Sequence, residues 1–264
     1  MSWGSIAGAN SMPGWDWGAF FRYLVSPYLL EGAWTTIWLS MVVMTLGLFL
    51  GLLAAIMNMS KSRALQSIAG FYLWIMRGTP LLVQLIIIYT GLPQVGIKLN
   101  VVQSALLGLS LNEGAYLSEV IRAGILSVPK GQFDAARALG MDYSTLMRVI
   151  VLPQAARVMI PPLGNNFNGL LKTTSVTSVI SMEELLRRGQ MLIQVDFRVL
   201  EIFMVAALYY LVMITLWGMV QRRLEAHFGR SVAPTTERKR TGGMGPANGG
   251  SANLERREME HDLR

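Results

Sequence analysis

Apolar residues along this chain gather in long runs separated by short polar stretches. Five windows stand out: Thr35–Met57, Ile68–Leu92, Val101–Ile125, Ala156–Leu171 and Ile202–Val220. An α-helix rises about 1.5 Å per residue, so each window is long enough, or nearly so, to cross about 30 Å of hydrocarbon. The pattern predicts an all-α polytopic membrane protein with about five transmembrane helices. Glu113 and Glu119 interrupt the third window and a run of asparagines the fourth. Polar groups at that depth must face protein or water, not lipid.

Composition sharpens this picture. Of the 264 residues, 52% are hydrophobic and 15% charged, against about a quarter charged in a soluble domain. There is no cysteine, and both histidines, His227 and His261, lie beyond the last window. Thiol catalysis, disulfides, haem and zinc-type metal sites within the membrane are therefore not expected. The start, MSWGSIAGANSMPGWDWGAF, lacks a basic stretch followed by a short apolar segment and a cleavage site. Its tryptophans suit a membrane interface, and it is expected to be retained.

Lys61 and Arg63 follow the first window, Arg122, Lys130, Arg137, Arg148 and Arg157 the third, and Arg222 and Arg223 the fifth. Basic residues near span ends mark the cytoplasmic side, which places the N-terminus outside and the C-terminus inside. The segment between the fourth and fifth windows, with Lys172, Arg187, Arg188 and Arg198, is an exception. The net charge of +7 comes mostly from cytoplasmic loops and the tail, so contact with membrane lipid accounts for it and no nucleic acid is needed. From about residue 231 the chain becomes glycine-rich and charged and is expected to be disordered.

Local signals mark individual places. Gly47 and Gly51 stand four apart and favour close helix packing. At Arg77–Pro80 either the helix breaks, or Arg77 reaches the cytoplasmic interface while Pro80 opens the next stretch. The loop after the third window is more patterned than a connector requires. Asp134 is expected in the first turn of a short helix, where its carboxylate complements the dipole. Ala135, Ala136 and Ala138 give that helix a small-residue surface, and Gly140 can close it in a left-handed conformation. A second helix should follow, with Leu146, Val149, Ile150 and Leu152 at helical spacing and Pro153 as its limit. A short helix with a small-residue face is shaped to enter a groove on another protein.

The run Asp134-Ala135-Ala136, three residues, Gly140, nine residues, Ile150-Val151-Leu152-Pro153 resembles the EAA loop of permease subunits of ATP-binding-cassette (ABC) importers. The flanks RGTPLLVQL (77–85), GAYLSEVIRAGILSVPKGQ (114–132), LPQAARVMIPPLGNNF (152–167) and LLKTTSVTSVISMEELL (170–186) are similar to the polar amino acid permeases of the histidine/glutamine type. Asp134 stands where the family pattern has Glu, and Thr173 where many relatives carry Asp. The resemblance implies a type I importer transmembrane domain over residues 32–223, with a coupling loop at about 131–153. Residues 1–31 would then be a periplasmic or interfacial segment and 224–264 a cytoplasmic tail. It further implies that Asp134, Ala135, Ala136, Arg137, Ala138, Leu139 and Gly140 couple the chain to an ABC ATPase dimer.

Two polar stripes follow from helical spacing. Asn112, Tyr116 and Glu119 share one face of the third span, and Asn165, Asn168 and Lys172 one face of the fourth, with Thr173 and Ser175 beside them. They either line a path that offers charged and amide groups to a zwitterion, or tie helices together by hydrogen bonds. No G-x-x-x-x-G-K-[ST] motif occurs. No cofactor is expected on this chain and no catalytic residue, so ATP and Mg belong on the partner ATPase. The resemblance also implies a periplasmic or lipid-anchored solute-binding protein, a second permease subunit, identical or related, and the cytoplasmic (inner) membrane of a bacterium. The alternative is a stand-alone secondary carrier or channel for a small polar solute.

Overall fold

In a computed structural model, residues 14–229 are described, and all regular structure among them is helical. The segment from about residue 231 that was expected to be disordered lies outside the described residues. Nine helices follow in order: α1 (Trp17–Leu24), α2 (Pro27–Met59), α3 (Arg63–Gly78), α4 (Leu81–Val95), α5 (Val101–Leu126), α6 (Lys130–Ala138), α7 (Tyr143–Ile180), α8 (Leu185–Asp196) and α9 (Val199–Gly229). Three of them, α2, α7 and α9, are long and apolar enough to span a membrane, and the bent pair α3 and α4 makes a fourth if counted as one span. The α5 helix matches the third window in length, but Asn112, Glu113 and Glu119 make it the more polar element.

The centre of the bundle is the pair α2 and α5, which run parallel. Gly47 faces Glu113 and Leu117, and a Cβ on Gly51 would stand 3.0 Å from Gly114 O, Leu117 Cβ and Ser118 N. Only glycine lets two backbones approach so closely, so the packing role expected for Gly47 and Gly51 is met by small residues on both helices. The α7 helix runs antiparallel to this pair. Near its start, Val151 and Ala155 meet Ala55, Ile121 and Ile125, and near its end Leu170 and Ile180 meet Leu39, Val43, Ala105 and Leu109.

The second window is not one straight span. The chain bends by 105° between α3 and α4. Thr79 and Pro80 interrupt the ladder because proline lacks the donor and forces the residue before it out of the α region; Thr79 has φ −119° and ψ 147°. Pro153 behaves in the opposite way to expectation. It does not end a helix: a π-helical stretch over Leu146–Val151 precedes it, and the helix continues unbroken to Ile180. The wider turn makes room for the proline ring against the preceding carbonyls.

At the end of α2 remote from α6, α1, α8 and the start of α9 form a polar-tied cap. Fully buried Glu184 caps α8, accepting from the Arg187 and Leu186 amides at 2.8 and 3.0 Å and from the Tyr210 hydroxyl at 2.9 Å. Arg188 pairs with Glu31 at 2.6 Å and Glu183 at 3.8 Å, and Arg198 with Asp16 at 3.4 Å and Glu201 at 3.5 Å. Two of the four basic residues that broke the charge asymmetry are thus neutralised by neighbours inside the fold.

Candidate functional site

Two places hold the residues singled out by sequence: the α6 turn and a cavity between α3 and α5. The α6 helix begins at Lys130, four residues before Asp134. Asp134 is therefore not in the first turn, and the dipole argument for it does not hold; it pairs instead with Arg137 at 3.7 Å on an exposed surface. Gly131 is the second residue of this helix. Gly140 does adopt the left-handed conformation, at φ +72°. The Met141 amide donates to Ala136 O and the Gly140 amide to Arg137 O, at 3.1 and 2.9 Å, the double closure that satisfies the last carbonyls of a helix.

The three alanines do not share one surface. Ala136 is 1% exposed, in a cluster with Ala55, Ile121, Ile125, Leu146, Val151 and Ala155, and Phe133 packs on the same side. It anchors α6 to the bundle and is not available to a partner. Ala135, Ala138 and Leu139, at i, i+3 and i+4, form the outward face, and Leu139 is 80% exposed. Next to it, Asp142 starts α7 by accepting from the Thr145 amide at 3.0 Å. The Thr145 hydroxyl and amide hold the Asp142 carboxyl below the ordinary carboxylate range.

The cavity between α3 and α5 is an open groove with a volume of about 530 Å³. Gly70, Trp74 and Arg77 of α3 and Tyr116 and Glu119 of α5 line it. Arg122 Nη2 donates to Glu119 Oε2 at 3.0 Å, while Arg77 Nη1 stands 3.8 Å from Glu119 Oε1. The Arg77 guanidinium lies over the Tyr116 ring, 5.7 Å from its centre. Arg77 is not part of the polar stripe, since it sits on a different helix; its sequence signal is the cation beside the break at Thr79 and Pro80.

Asn112, one turn before Tyr116, is engaged elsewhere: its amide donates to Met76 O and Gln84 Oε1, each at 3.1 Å, and so ties α5 to the bend. The α7 residues do not join the cavity. Asn165 accepts from Gln221 of α9 at 3.1 Å, and the Thr173 and Ser175 hydroxyls turn back on Gly169 O and Lys172 O of their own helix. Asn168 Oδ1 is buried without a partner, and the Lys172 ammonium has no ion pair among the described residues. The two stripes thus do not enclose one space within a single chain.

Residues 47–230 match the family of binding-protein-dependent transport system inner membrane components, and the chain belongs to that family. It is 35% identical over 263 residues to the permease protein of an arginine transport system of Corynebacterium glutamicum, covering 94% of this chain and 83% of that one. It is 42% identical over 208 residues to the permease protein of an L-cystine transport system of Bacillus subtilis, covering 78% and 89%. Among solved structures, an amino acid ABC transporter crystallised with histidines superposes with a TM-score of 0.76 at 35% identity, over 81% of this chain and all of that one. The relatives are transporter membrane subunits and not enzymes, and this chain is a membrane permease.

Proposed function

We propose that the chain is the permease subunit of an ATP-driven ABC importer that carries polar amino acids across the bacterial cytoplasmic membrane. The observation that carries this reading is α6: a short helix anchored to the bundle through Ala136 and turned by Gly140, with Ala135, Ala138 and Leu139 facing outward. Leu139, 80% exposed at the end of this helix, stands beside small residues over which the wall of a partner's groove can close. In this reading an ABC ATPase dimer docks there, on the cytoplasmic side, and carries the ATP and Mg that this chain does not hold. The N-terminus then lies outside. A solute-binding protein meets the opposite end, where α1 and α8 form the cap, and a second permease completes the pore. The arginine and cystine systems among the relatives support an amino acid as cargo; those two solutes share little beyond the α-ammonium and α-carboxylate.

Gentle purification from the native membrane tests the proposal. An ATPase retained in stoichiometric amount is expected. A chain that purifies alone and drives uptake on an ion gradient would establish the secondary-carrier alternative instead.

A further inference from the structure

We propose that the groove between α2, α7 and α9 seats one acyl chain of an anionic phospholipid whose phosphate rests on Arg222 and Arg223. This goes beyond the function proposed above and needs only that the chain spans a membrane. Near the cap α2 and α9 pack together, Leu29 and Ala33 with Ile202 and Val205. Farther along, α7 joins them and the three helices line a groove of about 390 Å³. Buried Phe167, Leu171 and Met213 make its floor, and exposed Met41, Leu216 and Val220 its rims. The Phe167 and Trp217 rings pack with their centres 4.1 Å apart. No donor is free on these walls: the Trp217 indole N–H donates to Gly164 O and the Thr45 hydroxyl to Met41 O, each at 2.9 Å. The groove therefore suits hydrocarbon.

Its mouth is charged. On α9, Met213, Leu216, Trp217 and Val220 recur at helical spacing, and Arg223 follows Val220 by three positions on the same side. Arg222 leans back along the helix, since a Cβ on Gly218 would lie 3.9 Å from its Nη1. Both arginines are exposed, and neither has an ion pair among the described residues. Glu225, the acid on that turn, accepts instead from the Gln221 amide at 2.9 Å. Met213 and Arg223 are ten positions apart, about 15 Å of helix, which is half of the about 30 Å of hydrocarbon in a bilayer. A chain lying in the groove with its phosphate at the arginines thus spans one leaflet. Leaving bilayer hydrocarbon for a protein groove gains no hydrophobic free energy, so shape orients the chain and the guanidinium forks, which suit a phosphate, supply the attraction. A second protein chain fits less well: protein interfaces carry a polar rim, whereas here only one end is charged, the pattern of an amphiphile.

The test takes the transporter, purified in detergent with the subunits it retains and freed of lipid, and titrates it in native mass spectrometry with dioleoyl-phosphatidylglycerol and, separately, with the matching phosphatidylcholine. An arginine near an anionic lipid surface is worth about fivefold in affinity. Wild type is expected to bind one phosphatidylglycerol per permease chain at least about fivefold more tightly than phosphatidylcholine. Arg222→Gln combined with Arg223→Gln should remove that preference and leave phosphatidylcholine binding unchanged. Thr45→Trp, which sets an indole into the groove from an exposed position, should lose both lipids, with an unchanged unfolding temperature as the sign that it is folded. The chain has no cysteine, so Thr45→Cys gives it a single thiol, whose alkylation phosphatidylglycerol should slow and phosphatidylcholine should not; this arm carries the test if Thr45→Trp misfolds. Equal binding of the two lipids by wild type, wild-type affinity in Thr45→Trp, or alkylation that phosphatidylglycerol does not slow overturns the site. A Thr45→Cys permease that oxidises to a linked pair of permease chains places a second copy in the groove and overturns it too. None of these outcomes bears on ATP or on cargo.

Discussion

Replacing Ala136 by tryptophan and Leu139 by alanine separates the two faces of α6. Ala136 is fully buried against Leu146, Val151 and Ala155. An indole there cannot be accommodated without displacing α6 or the start of α7, and overpacking of a tight core costs about 1–3 kcal/mol or more. Leu139 is 80% exposed. Burying a leucine is worth about 1.5–3 kcal/mol, so covering that fraction would contribute about 1.2–2.4 kcal/mol to the proposed docking of an ATPase, or about 8- to 60-fold in affinity. Leu139→Ala should leave thermal unfolding of the purified permease unchanged while weakening its hold on the ATPase by that factor. Ala136→Trp should lower the unfolding temperature of the permease itself. Thermal denaturation in detergent and ATPase binding by titration would read the two effects. If Ala136→Trp proved as stable as wild type and Leu139→Ala bound the ATPase normally, the assignment of inner and outer faces would be wrong.

Three further outcomes follow from the packing. Gly51→Val should destabilise the α2–α5 contact by about 1–3 kcal/mol, since its Cβ would press on Gly114 O and Ser118 N at 3.0 Å; thermal unfolding at wild-type temperature would show that the helices can part freely. Glu184→Ala strands two α8 amides and the Tyr210 hydroxyl; at about 1–3 kcal/mol for each buried group left unpaired, the loss should well exceed that of Tyr210→Phe, and comparable losses would contradict the capping role. Because the Asp142 carboxyl titrates below its ordinary value, its cap on α7 is intact above the unfolded-state value near 3.8 and is lost as pH falls through the lower folded value. Protection of the Thr145 amide from hydrogen exchange should follow that course, and in Asp142→Ala it should be absent at every pH.

The membrane class was legible because long apolar runs have one physical meaning, and the close of α6 because a glycine after an alanine-rich stretch can end a helix in the left-handed conformation, as Gly140 does. What escaped has local causes. Alanine suits either face of a helix, so Ala135, Ala136 and Ala138 could not reveal that the middle one points inward. Pro153 has the chemistry of a stop, and only the π-helical turn before it shows how the helix continues. The run Ile68–Leu92 is apolar throughout, and its 105° bend is invisible to hydropathy although Pro80 marks the place. Arg77 and Glu119 lie 42 positions apart in sequence, and their meeting depends on that bend.

The claim that this chain is worked by ATP at α6 is tested most directly by uptake into vesicles that hold the permease, its ATPase and the cognate binding protein. The account predicts amino acid accumulation that requires ATP and the binding protein together and falls in Leu139→Ala at unchanged permease abundance. Accumulation that persists without ATP, or that Leu139→Ala leaves untouched, would contradict it.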